Sequence, residues 1–254
     1  MKLLFLYAGK DTDKQENPEF FKELNRSMKE VARPDTHIEI RGMSDKIFDM
    51  SEALYWYAHS RVVNDMVDKV KTAEREGFDG VIIGCVGAVE AEYVLKEILT
   101  IPAVGVSESS FLVALALGAN FSILTYSDKA YAWLYRTVRE YGLEGRCVSL
   151  RQADIPLNDL LKRGSVEKIY EKILEKASEA IKVDHADVLL LGSIGFAGLA
   201  DYLRKRVAAA IVDPVETGVK FAEMLVDLHK SKGLLQSKAL TYKPSPNLKK
   251  VLAI

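Results

Sequence analysis

The chain has only two cysteines, Cys85 and Cys147, and no apolar run of the roughly 18 residues that a membrane-crossing helix needs. Two thiols make no disulfide framework, so a reduced, cytoplasmic setting is the expectation. The histidines His37, His59, His185 and His229 stand far apart, with no HxxxH or CxxC spacing, so no metal site is expected. There is no GxGxxG turn, no Walker-type phosphate loop and no GxSxG elbow, which leaves nucleotide cofactors and triad hydrolases without support. An excess of one charge is missing too. Lys and Arg number 35 against 36 Asp and Glu, for a net charge of −1. That balance argues against a nucleic-acid or membrane partner and leaves a small molecule. The opening MKLLFLYAGKDTDK has too short an apolar stretch for a signal peptide and no small-residue cleavage site, so it reads as a first strand.

What is present is a real core: 48% of the 254 residues are hydrophobic. Apolar bursts of strand length alternate with longer segments of helical period, the pattern of a doubly wound α/β protein. Strands are expected at 2–7, 37–41, 81–84, 103–106, 121–125, 147–150, 188–192 and 210–212. Helices are expected at 18–31, 52–76, 88–99, 109–117, 128–141, 166–183, 196–206 and 216–230. VIIG and LLLG are apolar at every position, as strands of a parallel sheet covered on both faces should be. The tail from Ser231, with Pro244 and Pro246, reads as irregular structure or an edge strand.

An internal repeat organises the chain. A shift of 108 residues lays FDGVIIGCVGAVEAEYVLKEILTIPAVGVSE on ADVLLLGSIGFAGLADYLRKRVAAAIVDPVE without a gap. Asp79 then meets Asp187, Gly84 meets Gly192, Cys85 meets Ser193, Gly87 meets Gly195, Leu95 meets Leu203 and Glu108 meets Glu216. A looser match sets LLFLYAGKD on FSILTYSDK. Shared α/β grammar explains a strand, a glycine and a helix, but not identities running on through a second strand. Duplication does. The reading is two pseudo-symmetric Rossmann/flavodoxin-like lobes with mainly parallel sheets, residues 1–107 plus 213–254 in one and 108–212 in the other. Ligands of open α/β sheets sit beyond the carboxyl ends of the strands, so the active-site cleft is expected between the lobes.

Each matched turn runs strand, Gly, Cys or Ser, apolar residue, Gly, helix. The N–H groups of Val86, Gly87 and Ala88, and of Ile194, Gly195 and Phe196, are expected to point outward with a helix dipole behind them, a setting for a carboxylate or similar oxyanion. The same field is expected to lower the Cys85 thiol towards thiolate, although a buried cysteine is otherwise a small inert hydrophobe. After the fifth strand, Thr125, Tyr126 and Ser127 offer hydroxyls to a substrate, with Ser127–Asp128 equally plain as a helix N-cap. Tyr7 occupies the mirrored loop. Glu108 and Glu216 are expected to support or cap rather than act as bases, and Cys147 to pack in the core. Trp56, Tyr55, Tyr57 and Phe111 are candidates for an apolar lid, against the commoner core role. His185, the nearest base to Ser193 in sequence, is expected to point away from it.

The stretches GCVGAVEAEYVLKE, IPAVGVSESS and LLLGSIGFAGLADYLRK with IVDPVE resemble the aspartate/glutamate/hydantoin racemase superfamily, above all its hydantoin/allantoin branch. The likeness covers the central and C-terminal three-fifths and is weak at the N-terminus, where that branch has an Asn-Pro-Asn-rich loop and this chain has Tyr7-Ala8-Gly9-Lys10. It implies a cofactor-independent isomerase and a homo-oligomer. A cysteine on each face of a small amino acid or hydantoin-like substrate would move the proton beside a carbonyl. Carried over by position, Cys85 is the first cysteine and the second falls on Ser193. That departure leaves three readings open: a native one-thiol chemistry such as decarboxylation, cis–trans isomerisation or one-sided exchange; an engineered Cys-to-Ser change; or a small-acid binder without turnover.

Overall fold

In a computed structural model describing residues 1–44, 50–163 and 166–252, eight strands form two parallel sheets of four. The first holds β1 (Lys2–Lys10), β2 (His37–Met43), β3 (Gly80–Gly84) and β4 (Ala103–Gly105) in the order β2-β1-β3-β4. The second holds β5 (Phe121–Thr125), β6 (Cys147–Gln152), β7 (Val188–Leu191) and β8 (Ala210–Val212) in the order β6-β5-β7-β8. Around them lie α1 (Asp13–Glu16), α2 (Pro18–Val31), α3 (Trp56–Val70), α4 (Val89–Ile98), α5 (Val106–Leu117), α6 (Asp128–Glu140), α7 (Leu157–Lys162), α8 (Val166–Lys182), α9 (Leu199–Arg204), α10 (Pro214–Lys232) and α11 (Leu248–Leu252). Among them, no helix is long and apolar enough to cross a membrane.

Local signals explain most boundaries. Pro18 opens α2, where its missing N–H is no loss, and Phe20, Phe21, Leu24 and Met28 form the buried stripe. Ser127 caps α6, accepting from the Ala130 N–H at 3.2 Å. Asp213 caps α10, accepting from Val215 N–H at 2.8 Å, and Gly233 ends it in the left-handed region at φ 68°. All five residues of β3 and all four of β7 are buried, as full coverage requires.

The 108-residue repeat survives in space. Val81 pairs with Ala103 and Ile82 with Val104, and the shifted positions repeat the register, Leu189 with Ile211 and Leu190 with Val212. Lys96 binds Glu108 at 2.5 Å, and at the same offset Arg204 binds Glu216 through Nη1 at 2.9 Å. Ser109 and Thr217, equivalent by that offset, meet each other with hydroxyl oxygens 3.4 Å apart, which marks where the two halves face. Helix α10 lies on β3 and β4, while α5 reaches β7 and β8.

Two expected helices are interrupted. The segment 52–76 begins as a 3₁₀ turn (Met50–Leu54), Tyr55 is extended at φ −96°, ψ 132°, and α3 starts only at Trp56. Trp133 of α6 donates its indole N–H to the Leu54 carbonyl, fastening that turn to the second sheet's helices. Segment 196–206 breaks at Gly198, φ 82°, between a 3₁₀ turn (Ile194–Phe196) and α9. The tail carries no strand among its described residues; it ends in the short α11, and residues 253–254 of that expectation lie outside the description.

Gly84 and its equivalent Gly192 are needed for close approach. A Cβ at Gly84 would stand 2.2 Å from the rigid Phe5 ring, and one at Gly192 would stand 2.8 Å from the Leu124 carbonyl oxygen. Gly84→Ala is therefore expected to lower stability by about 1–3 kcal/mol, the usual cost of overpacking. Chemical denaturation measures it; an unchanged midpoint contradicts the packing account.

Candidate active site

The carboxyl ends of equivalent strands converge on one cavity of about 50 Å³. One wall carries Ala8, Gly84, Cys85 and Val86; the other carries Tyr126, Gly192, Ser193 and Ile194. Leu54, His59 and Trp133 roof it. Of the residues singled out from sequence, Cys85, Val86, Tyr126, Ser193 and Ile194 thus come together. Tyr7, Thr125, Ser127, Gly87 and Gly195 do not line this cavity. Side chains alternate faces along a strand, so where Ala8 and Tyr126 look into the cavity, Tyr7 and Thr125 look away from it. Tyr7 is buried against Phe20 and Phe21 and donates to Asp13 Oδ2 at 3.0 Å. Thr125 is fully buried, and its hydroxyl has no hydrogen-bond partner among the described residues.

The turns use part of their own N–H supply. Gly87, left-handed at φ 85°, donates its N–H to Ser107 Oγ at 2.8 Å, and Ala88 N–H reaches the Cys85 carbonyl at 3.3 Å. On the other wall Gly195 N–H donates to Ser193 Oγ at 3.0 Å, and Phe196 N–H to the Ser193 carbonyl at 3.2 Å. Ser193 is therefore a cap for its own turn as well as a wall residue. Among the described residues, Val86 and Ile194, the equivalent apolar positions, are the ones whose N–H groups are left over.

The expectation of an acidified Cys85 is corrected. The half-buried thiol is pushed up to about 12, first by burial and then by the negative charges of Glu92 and Glu90. α4 starts only at Val89, four residues on, and the Gly87 and Ala88 N–H groups point at Ser107 and at a carbonyl rather than at sulfur. The helix field is too distant to win. Cys147 is half-buried, packs on the second lobe's core and is likewise pushed up to about 12 by burial.

Glu92 is buried, accepts from the Tyr141 hydroxyl, and leaves Oε1 without a hydrogen-bond partner among the described residues. Burial, and then Glu108, raise it to about 8. Its space exists because Gly105 has no side chain: a Cβ there would lie 1.8 Å from Glu92 Oε1. At the equivalent positions the carboxyl changes sides. Ala200 replaces Glu92 and Asp213 replaces Gly105, also raised, to about 7, mainly by burial. A carboxyl whose folded pKa exceeds its unfolded value near 4.5 stabilises fully below that value, and the contribution is lost as pH rises through about 8. Glu92→Gln, which stays neutral, is expected to flatten the fall in melting temperature between pH 5 and 9. Parallel wild-type and variant melting curves over that range would contradict it.

Sequence reasoning missed His59. It is 3% exposed and packs edge-on to Trp133 at a centroid distance of 4.4 Å. Trp56 stacks on Trp133 at 4.8 Å, and the Arg136 guanidinium lies 4.8 Å and 5.0 Å from the two rings. A lid of first-lobe and second-lobe aromatics thus closes the cavity. Tyr55 and Tyr57 stay exposed, Phe111 is core, and His185 is exposed at a turn. Glu108 and Glu216 hold cations, as expected of supporting groups.

Two equally wound sheets with strand ends meeting at one small cavity define a class of two-lobed α/β enzymes that work on a small molecule between matched turns. The chain belongs to the Asp/Glu/Hydantoin racemase family, whose model matches residues 17–222, and is an isomerase of the racemase type. It is 32% identical to a hydantoin racemase of a Pseudomonas species over 87% of this chain and 85% of the relative. A hydantoin racemase of Paenarthrobacter aurescens is 30% identical over 70% of this chain and 72% of its own. The crystal structure of an allantoin racemase from Pseudomonas fluorescens superimposes with a TM-score of 0.83 at 28% identity, covering 97% of both chains.

Proposed function

We propose that the enzyme racemises a small, uncharged ring of the hydantoin type by moving one proton at the carbon beside a carbonyl. The observation that carries this reading is that Cys85 and Ser193 open into one cavity from equivalent turns of two equally wound sheets. The wall chooses the substrate class: among the described residues lining it there is no Lys, Arg, Asp or Glu. An α-amino acid would bring a carboxylate and an ammonium into a space with no counter-charge, at a cost of several kcal/mol. A hydantoin-like ring brings only N–H and C=O groups, which backbone, hydroxyl and imidazole can match. The relatives named as hydantoin and allantoin racemases agree with that choice. A one-thiol decarboxylase acting on a diacid fits worse, since two carboxylates would meet the same uncharged wall.

In this reading Val86 N–H and Ile194 N–H donate to the carbonyl oxygen, whose negative charge grows as the α-proton leaves. Cys85 exchanges a proton with the face of the carbon turned to it. Ser193 holds the other face, where an alcohol is a far weaker acid than a thiol and a poor proton carrier at neutral pH. No cofactor enters these steps. Residues 1–107 with 213–254 form one lobe and 108–212 the other, in keeping with α10 packing back on β3 and β4. Two unpaired thiols suit a cytoplasmic enzyme, and a homo-oligomer follows by family analogy.

The test is loss of the α-proton NMR signal from each enantiomer of 5-methylhydantoin in deuterated water. Exchange from at least one enantiomer is expected. No exchange from hydantoins or amino acids, with Ser193→Cys equally silent, rejects the proposal.

A further inference from the structure

We infer that His59 is the specificity-determining residue of the cavity, accepting a hydrogen bond from a ring N–H of the substrate through Nε2; the inference rests on the hydantoin-type reading above. His59 lies on the cavity wall with Cys85 and Ser193, is 3% exposed, and leaves Nε2 without a hydrogen-bond partner among the described residues. The Ala53 backbone and Glu90 are the polar groups that act on the ring. In the tautomer this inference requires, Nδ1 carries the proton and Nε2 presents a lone pair.

Glu90 Oε2 lies 3.4 Å from Nε2, and a carboxylate cannot donate to a lone pair. Glu90 is already occupied: Arg136 binds Oε1 through Nη1 at 2.6 Å and Oε2 through Nη2 at 3.1 Å. Trp133 against one side of the imidazole and the Ala53 bond together fix the ring's plane. Burial favours the neutral ring and outweighs the opposing pull of Glu90. In that tautomer the cavity contains a desolvated acceptor that no described residue satisfies, and leaving such an atom unpaired is costly. A ligand that supplies an N–H removes that cost. A ring with N–H groups flanking its carbonyls does so, and an ester or lactone of the same shape does not.

The experiment compares binding of 5-methylhydantoin and its N1-methyl and N3-methyl derivatives to the wild type, His59→Leu and His59→Gln, by calorimetry, alongside deuterium exchange. Leu keeps the bulk but not the acceptor; Gln keeps an acceptor. In the wild type, one of the two N-methyl derivatives is expected to bind about tenfold more weakly than the parent, the loss of one buried hydrogen bond. In His59→Leu the parent weakens by about the same factor and the discrimination falls to within about twofold; in His59→Gln most of it returns. If the wild type treats all three ligands alike, or the Leu variant keeps the discrimination while the parent still binds and exchanges, the His59 assignment falls alone. If the parent neither binds nor exchanges, the substrate reading and this assignment fall together. Should His59→Leu fail to fold, His59→Met gives the same bulk without a nitrogen acceptor and the same criteria apply.

Discussion

Ser193→Cys is expected to raise the rate of racemisation by about 100-fold or more, while changing α-proton exchange from the other face far less. The size comes from what a positioned acid or base contributes, roughly 10²–10⁴-fold, and from the gap in acidity between a thiol and an alcohol. In the wild type one wall carries a thiol and the other a hydroxyl that caps its own turn at 3.0 Å from the Gly195 nitrogen. Removing and returning a proton on the same face exchanges it without inverting the carbon. The wild type should therefore exchange one enantiomer of 5-methylhydantoin faster than it racemises it, and the other enantiomer slowly. The measurement is deuterium uptake by NMR beside chiral chromatography of the same samples. Equal exchange and racemisation rates in the wild type, unchanged by Ser193→Cys, would show that the opposite-face proton comes from elsewhere. The substitution itself is small, one sulfur for one oxygen at a side chain that caps the Gly195 N–H.

The lobes were legible because duplication leaves two copies of each signal. β5 and β8 fall where the apolar runs place them, and an offset of 108 residues correctly joins Cys85 to Ser193 and also joins Lys96–Glu108 to Arg204–Glu216. Parity was harder. A motif match fixes which loop reaches the cleft, but one residue along a strand reverses the face, so Ala8 holds the place assigned to Tyr7, and of Thr125, Tyr126 and Ser127 only Tyr126 lines the cavity. His59 had a signal that spacing alone could have given. It stands with Val62, Met66 and Val70 on the buried stripe of α3, a polar residue at an apolar position. Its meeting with Cys85 depends on a long-range contact, Trp133 to Leu54, that no local pattern encodes. The thiol's environment was hidden for a similar reason: Glu92 is near Cys85 in sequence, but its burial depends on Gly105 leaving room for it.

Replacing Cys85 by Ala is expected to remove exchange and racemisation alike, by about 10³-fold or more, since the only thiol on the cavity wall goes with it. The pH profile separates this from a packing defect. With the free-enzyme thiol up at about 12, the protonated form dominates at neutral pH, and the thiolate fraction grows tenfold for each pH unit below that value. Exchange kcat/KM, which reports the free enzyme, should therefore climb with a slope near one from pH 7 to 9, without the plateau that a thiol acidified by a helix terminus would give. Iodoacetamide labelling of Cys85 in the empty enzyme should follow the same line, with Cys147→Ser as the background to keep one thiol in view. Above about pH 8, where Glu92 is ionised, Glu92→Gln takes away one of the charges that hold the thiol up, so in that variant the upper part of both curves should move to lower pH. A labelling plateau below pH 8.5 in the wild type, or profiles that Glu92→Gln leaves in place, would mean that the burial of Cys85 and its carboxylate neighbours does not govern its proton.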